Sequence, residues 1–116
     1  MPSENQLRRF EDILENTDRI QRFSAGLSKE TLAANEQAFF AILHALLIIS
    51  EAARKLGAEA EALVADQPWQ AIRSFGNVLR HAYDDVDPGV IWRIVHDDLP
   101  SLRKAVEAAV AKIRSG

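Results

Sequence analysis

The sequence has no cysteine, and glycine and proline are scarce, with 5 and 4 among 116 residues. Without cysteine there is neither a disulfide framework nor a thiolate metal site, and a reducing compartment suits such a chain. β-Branched residues are also sparse, whereas alanine is frequent, and this balance favours helix over strand. We therefore predict an all-α fold.

Long apolar runs are missing as well. The longest, Ala38–Ile49, is interrupted by His44 and falls well short of the about 20 residues that span a bilayer. The N-terminal stretch MPSENQLRRFEDIL is charged and amphipathic, unlike a signal or transit peptide. These features predict a cytoplasmic protein that does not enter a membrane.

The charge balance is slightly acidic, because 14 Lys and Arg residues against 17 Asp and Glu residues give a net charge of −3. Such a balance argues against a broad, non-specific nucleic-acid surface, so any phosphate-binding site must be local. The length suits a single domain over residues 1–116, which is enough chain to bury a hydrophobic core.

The first predicted helix covers about residues 3–23. Ser3 and Gln6 have the spacing of a capping box at its start. Gly26 follows at a position where a glycine commonly ends a helix.

The second predicted helix begins near Ser28 or Thr31 and ends at Gly57. Its middle, AFFAILHALLII, is apolar almost all round, which is typical of a helix buried on more than one side. We therefore expect a central bundle helix, or one that also meets a second subunit.

The third predicted helix begins near residues 66–68, with Asp66 as its cap and a proline in its first turn. It is predicted to end at about Tyr83. Its C-terminal half contains the most unusual group of polar residues in the chain.

The fourth predicted helix has the same kind of start, with Asp87 as its cap followed by Pro88, and it runs towards Arg114. Pro100 lies inside it and predicts either a kink or the start of a new segment. Together these segments predict an antiparallel bundle of four main helices.

The third helix carries a polar stripe, because several of its residues fall within about 100° of one another at helical spacing. The residues of this stripe are Arg73, Asn77, Arg80, His81 and Asp84. Gly76 lies at its edge, although a glycine inside a helix costs about 1 kcal/mol relative to alanine. Close approach of another helix or of a ligand would offset that cost.

The polar stripe has the groups needed to cleave RNA without a metal ion. An imidazole can take a proton from a hydroxyl or give one to a leaving oxygen, and a guanidinium can bind phosphate. The 2′-hydroxyl of RNA would serve as the nucleophile, and a symmetric dimer would double the set. The alternative is an ordinary solvated helix face.

Several segments together resemble the HepT-like family of the HEPN superfamily. The segments are IISEAA at 48–53, PWQAIR at 68–73, GNVLRHAYDDVD at 76–87, IWRIV at 91–95 and DLPSL at 98–102. The resemblance implies an all-α bundle that forms a homodimer and needs no cofactor or metal. It also implies a metal-independent ribonuclease toxin, with RNA as substrate and a nucleotidyltransferase antitoxin as partner.

The family motif is an arginine, four to six residues, a histidine, any residue and a tyrosine. By resemblance, His81 is the catalytic histidine, Asn77 is the polar residue after the arginine, and Tyr83 is the target of nucleotidyl transfer. The arginine position holds Gly76 instead. Arg73 and Arg80 lie one turn before and after Gly76, so either side chain could take the arginine's role. The alternative is a catalytically silent subunit that presents Tyr83 or a nucleotide to its partner.

Other polar and aromatic residues have plainer interpretations. We expect His44 to be a core or interface histidine, and Trp69 and Trp92 to anchor the core or an interface. Glu51 is either a partner of an arginine on the third helix or a surface glutamate. The run 96–98, HDD, lacks further ligands at helical spacing and does not predict a metal site.

Overall fold

The computed structural model describes residues 4–116, and this part of the chain is helical with short connections and no strand. The α-helices are α1 Glu4–Ser24, α2 Lys29–Ala34, α3 Glu36–Ala62, α4 Trp69–His81, α5 Pro88–Arg93 and α6 Leu99–Ser115. Four of them, α1, α3, α4 and α6, are long, and the prediction of an all-α fold is confirmed. The predicted capping residue Ser3 lies outside the described residues.

The second predicted helix is in fact divided into α2 and α3. Ser28, the first of the two predicted start sites, caps α2 in a capping box. Its hydroxyl accepts from the backbone N–H of Thr31, and the Thr31 hydroxyl accepts from the backbone N–H of Ser28. Asn35 then ends α2 and caps α3, because its Oδ1 accepts from the backbone N–H of Ala38 at 3.0 Å. An asparagine side chain that binds its own backbone competes with helix continuation, which explains the break.

Gly57 interrupts α3 at the predicted position, with φ of 83° and ψ of 167°. Glycine alone adopts this conformation readily, because it has no Cβ. The chain then resumes a helical course as far as Ala62 instead of ending at the glycine. This extension carries Glu61, which contacts α4.

The prediction that Asp66 caps α4 is wrong. Pro68 occupies the cap position and gives no side-chain hydrogen bond. The start of α4 is held instead by Trp69, whose Nε1–H donates to the carbonyl of Val64 at 2.8 Å. Asp87 does cap α5 as predicted, since its carboxylate accepts from the N–H of Gly89 at 2.9 Å.

The fourth predicted helix is divided into α5, a π-helical turn at Ile94–Asp98, and α6. Pro100 lies in the first turn of α6, directly after the π-helical turn, a position where a proline is tolerated. The spacing of Leu102, Val106, Ala109, Val110 and Ile113 predicts the face of α6 that meets the bundle. The first four are buried, and Ile113 is half-buried.

The long helices pack with antiparallel neighbours around one hydrophobic core. Arg103 on α6 donates to Asp18 on α1 at 2.7 Å, and Arg114 pairs with Glu11 nearer the start of α1. Helix α3 packs against both α1 and α4, so the prediction of a central helix is confirmed. No helix within residues 4–116 combines the length and apolarity needed to cross a membrane.

Candidate functional site

Helix α4 turns one face into the bundle and the opposite face outward. Trp69, Gly76 and Leu79 are its buried residues, whereas Asn77 and His81 are exposed. The predicted polar stripe therefore lies on the surface of the chain. The structure places it along α3, whose residues supply the partners of both arginines.

Gly76 allows α4 to lie close against α3. A Cβ at this position would lie 3.0 Å from the Cβ of Ser50, closer than ordinary side-chain contacts allow. Ser50 is buried, and its hydroxyl donates to the carbonyl of Ile72 on α4 at 2.7 Å. Helix contact thus accounts for the glycine, and an arginine here would require Ser50 or α4 to shift by a few tenths of an ångström.

The side chain of Arg80 fills the space beside Gly76. Its Nη1 lies 3.4 Å from where a Cβ of Gly76 would be. The guanidinium donates from Nη1 to the carboxylate of Glu51 on α3 and from Nη2 to Oδ1 of Asn77. Of the two interpretations of Glu51, the structure confirms the arginine partner.

Glu51 is also bound by a second cation. Nη2 of Arg54, one turn further along α3, donates to its other carboxylate oxygen at 2.8 Å. This hydrogen bond, with the charges of Arg54, Arg80 and Lys55, lowers the pKa of Glu51 below its ordinary value despite some desolvation. Glu51 is therefore a carboxylate at neutral pH.

Arg73 belongs to a separate contact at the other end of α4. It pairs with Glu61, whose side chain is 14% exposed, on the part of α3 beyond Gly57. Arg80 lies seven positions after Arg73, so their α-carbons are about 10 Å apart along the helix axis. The structure thus brings Arg80 and Asn77 together beside His81 and leaves Arg73 apart from them.

Tyr83 follows α4 in a 3₁₀ turn, Tyr83–Asp85, and α4 itself ends at His81 rather than at the predicted Tyr83. The tyrosine side chain is 52% exposed. Its ring contacts that of Phe40 near the start of α3, with ring centroids 6.2 Å apart. Both the imidazole and the phenol therefore lie at the C-terminal end of α4.

An apolar surface on α3 borders this end of α4, and the sequence interpretation did not locate it. Phe40 is 49% exposed, while Leu47 and Ile48 are half-buried. His44 is exposed on the same helix, so the core interpretation of His44 is wrong and the interface interpretation stays a prediction. The run AFFAILHALLII was the available signal, because a single bundle rarely buries every side of a helix.

The two tryptophans differ in how they contribute to packing. Trp69 is buried and is a core residue as expected. Trp92 is half-buried and its ring lies against the imidazole of His96, with centroids 3.8 Å apart. Within residues 4–116, no group of three or more histidine, aspartate or glutamate side chains is arranged to hold a metal ion.

The candidate site is an open surface in a single chain. Cavities of about 690 and 490 Å³ lie elsewhere in the bundle. Neither is lined by Asn77, Arg80, His81 or Tyr83. A substrate strand held at these residues would contact only one wall of protein.

Comparison with known proteins identifies the family. The model of the HepT-like ribonuclease family matches residues 13–109. The chain belongs to this family. The HepT-like resemblance found in the motifs is thus confirmed over most of the chain, including α3, α4 and the turn with Tyr83.

Relatives of this HepT-like chain cover nearly its whole length. A Thermococcus cleftensis protein named "Probable ribonuclease HepT" is 33% identical over 98 residues, which are 84% of this chain and 89% of the relative. A Methanocaldococcus jannaschii protein, named provisionally as an RNase, is 30% identical over 96 residues, 83% of this chain and 88% of the relative. No solved structure matches the chain.

Proposed function

We propose that this HepT-like protein is a metal-independent endoribonuclease in which His81 transfers protons and Arg80 binds the scissile phosphate. One observation carries the proposal: the Arg80 guanidinium lies beside Gly76, the position of the family's arginine, and is hydrogen-bonded to Asn77. The missing arginine is thereby replaced from the next turn of the same helix.

In the proposed reaction, the 2′-hydroxyl of RNA attacks the neighbouring phosphorus. An imidazole accepts the hydroxyl proton, and the leaving 5′-oxygen takes a proton from a second imidazole, so that a 2′,3′-cyclic phosphate and a 5′-hydroxyl result. Arg80 stabilises the additional negative charge on the phosphoryl oxygens in the transition state. Asn77 orients Arg80, and Arg73 contacts a phosphate further along the strand.

The need for two imidazoles and for a second wall supports a homodimer. A two-fold axis beside the C-terminal end of α4 would face two copies of His81 across one cleft. Phe40, half-exposed beside Tyr83, and the exposed His44 border that end of α4 and would be covered by the second copy. Sedimentation equilibrium gives the mass of the assembly, and a monomer at all concentrations would contradict this part of the proposal.

The biological role that we propose is that of a toxin, acting on cytoplasmic RNA and neutralised by a nucleotidyltransferase antitoxin. Tyr83 is the proposed acceptor, and its 52% exposure leaves the hydroxyl within reach of an enzyme. A nucleotidyl group there would add bulk and negative charge two residues from His81 and repel the RNA backbone.

Gly76 supports a second candidate function. Because the arginine position of the motif holds a glycine, the alternative is a subunit without catalytic activity that binds the nucleotidyltransferase and presents Tyr83 to it. Expression of the chain alone decides between the two. The enzyme arrests growth and cleaves RNA, and its His81→Ala variant does neither, whereas the silent subunit gives no cleavage in either form. Mass measurement of Tyr83 with the partner present tests the modification in both cases.

A further inference from the structure

Two arginine–glutamate pairs join α4 to α3, and they differ in what surrounds them. Arg73 on α4 forms an ion pair with Glu61 on α3. Glu51 instead binds two cations at once, Arg80 through one carboxylate oxygen and Arg54 through the other. Glu51 thus contacts a cation on its own helix and one on α4.

An arginine on a helix surface has many rotamers, and ordering one costs up to about 2 kcal/mol of side-chain entropy. In this chain the Arg80 guanidinium has a partner on each helix, Glu51 on α3 and Asn77 on α4. A guanidinium has five N–H donors, and these contacts use two of them. The remaining donors are available to the oxygens of a phosphate.

The charge of Glu51 does not cancel the attraction for an anion. Arg54, Lys55 and Arg80 surround it and contribute three positive charges against one negative charge. Glu51 therefore shares its negative charge among several cations, and Arg80 need not leave Glu51 to donate to a phosphate through its remaining N–H groups. The ion pair places the guanidinium without neutralising the site.

We infer that Glu51 is a positioning residue that holds the Arg80 guanidinium beside Gly76 in the geometry required to stabilise the phosphate in the transition state. This inference rests on the proposed ribonuclease function. Glu51 touches neither the substrate nor the reacting atoms, and it acts only through Arg80. Its removal therefore reduces the rate of the chemical step more than it reduces RNA binding.

The test compares Glu51→Gln with Glu11→Gln, a matched control at the pair of Glu11 with Arg114, which joins α1 to α6 and involves neither α3 nor α4. Single-turnover cleavage of an RNA oligonucleotide gives the rate. Binding of the same oligonucleotide with a 2′-deoxy nucleotide at the cleaved position gives the affinity without reaction. We expect Glu51→Gln to cleave about 10-fold more slowly, because the guanidinium is misplaced. We expect it to bind the deoxy probe as tightly as the parent or more tightly, since a negative charge is lost.

Glu11→Gln should match the parent in rate and affinity. The inference is overturned if Glu51→Gln cleaves at the parental rate, or if its rate and affinity fall by the same factor. Loss of rate in Glu11→Gln equal to that in Glu51→Gln would also overturn it, because the effect would then be one of general stability.

A second measurement separates failure of this inference from failure of the proposed function. Nitrogen-15 spectra of the side chain report whether the Arg80 guanidinium is held, since ordered N–H groups exchange slowly with water. We expect protected Arg80 signals in the parent and their loss in Glu51→Ala. If the parent does not cleave RNA but the Arg80 signals are protected in the parent and lost in Glu51→Ala, only the ribonuclease proposal is contradicted. Equal protection in both proteins overturns the role of Glu51.

Discussion

The two ends of α4 use the same residue types for different purposes. At the N-terminal end, Trp69 is buried and Arg73 pairs with Glu61, a carboxylate that is 14% exposed. At the C-terminal end, Arg80 pairs with a carboxylate that is 28% exposed, and His81 next to it is open to solvent. The first end attaches the helix to α3, and the second presents polar groups on a surface.

This difference shows why composition alone does not identify a site. An arginine and a glutamate on facing helices form a pair in both places. What distinguishes the C-terminal end is the neighbourhood of the pair: an exposed imidazole, a glycine that leaves space, and Asn77 as a second acceptor. Substitutions that alter one end of α4 and leave the other intact test this difference.

The largest effect is expected from His81→Ala. Loss of the group that transfers protons should slow RNA cleavage by about 100-fold or more. The variant should retain the parental melting temperature, because His81 is exposed and packs against nothing in the core. Cleavage by the variant at the parental rate would remove His81 from the mechanism.

Gly76→Arg restores the family's arginine in the sequence but is expected to harm the protein. The side chain would begin 3.0 Å from the Cβ of Ser50, and overpacking of this kind costs about 1–3 kcal/mol of unfolding free energy, of which about 1 kcal/mol is offset by removing a glycine from the helix. Ala71→Arg, at an exposed position of the same helix, is the control and should stay within about 0.5 kcal/mol of the parent. Chemical denaturation measures both, and a Gly76→Arg protein as stable as the parent would show that α4 and α3 do not meet here.

Trp69→Phe tests the structural end of α4. The change removes the hydrogen bond to the Val64 carbonyl in a buried setting, so we expect a loss of about 1–3 kcal/mol of stability. Thermal unfolding measures it. The cleavage rate of the folded variant should not change, and a large loss of rate would mean that the two ends of α4 are not independent.

The smallest effect concerns the dependence of stability on pH. The folded-state pKa of Glu51 is lowered from its ordinary value of 4.5, chiefly by the Arg54 hydrogen bond. Its ionised form therefore stabilises the fold above that value, and the contribution is lost as the pH falls through the lower folded-state pKa. The stability difference between the parent and Glu51→Gln should shrink on acidification, as denaturation in a pH series would detect. A stability difference between the two proteins that grows as the pH falls would contradict the lowered pKa of Glu51.

Local patterns were enough to predict most of the fold. Ser28, Asp87 and Gly57 act through their own backbone or the next turn, and each marks a boundary near the predicted place. Asn35 was missed because it interrupts a segment whose apolar pattern continues on both sides. Asp66 was assigned as a cap because its residue type suits one, whereas the tertiary contact of Trp69 determines where α4 begins.

The candidate site was predictable as a list of residues but not as an arrangement. Helical spacing put Arg73, Asn77, Arg80 and His81 on one stripe without choosing between the arginines. That choice depends on α3, because Glu61 forms an ion pair with Arg73 and Glu51 forms one with Arg80. The reason for Gly76 likewise depends on Ser50, which is 26 positions away along the chain and adjacent in the fold.

The most direct test of the central claim, that Arg80 replaces the motif arginine, compares cleavage of one RNA oligonucleotide by Arg80→Ala and Arg73→Ala. The assay is run in single turnover with a chelator present. We expect a loss of at least about 100-fold for Arg80→Ala and a change within about 5-fold for Arg73→Ala, because Arg80 lies beside Gly76 and Arg73 pairs with Glu61. A larger loss in Arg73→Ala, or equal rates in the two variants, would contradict it.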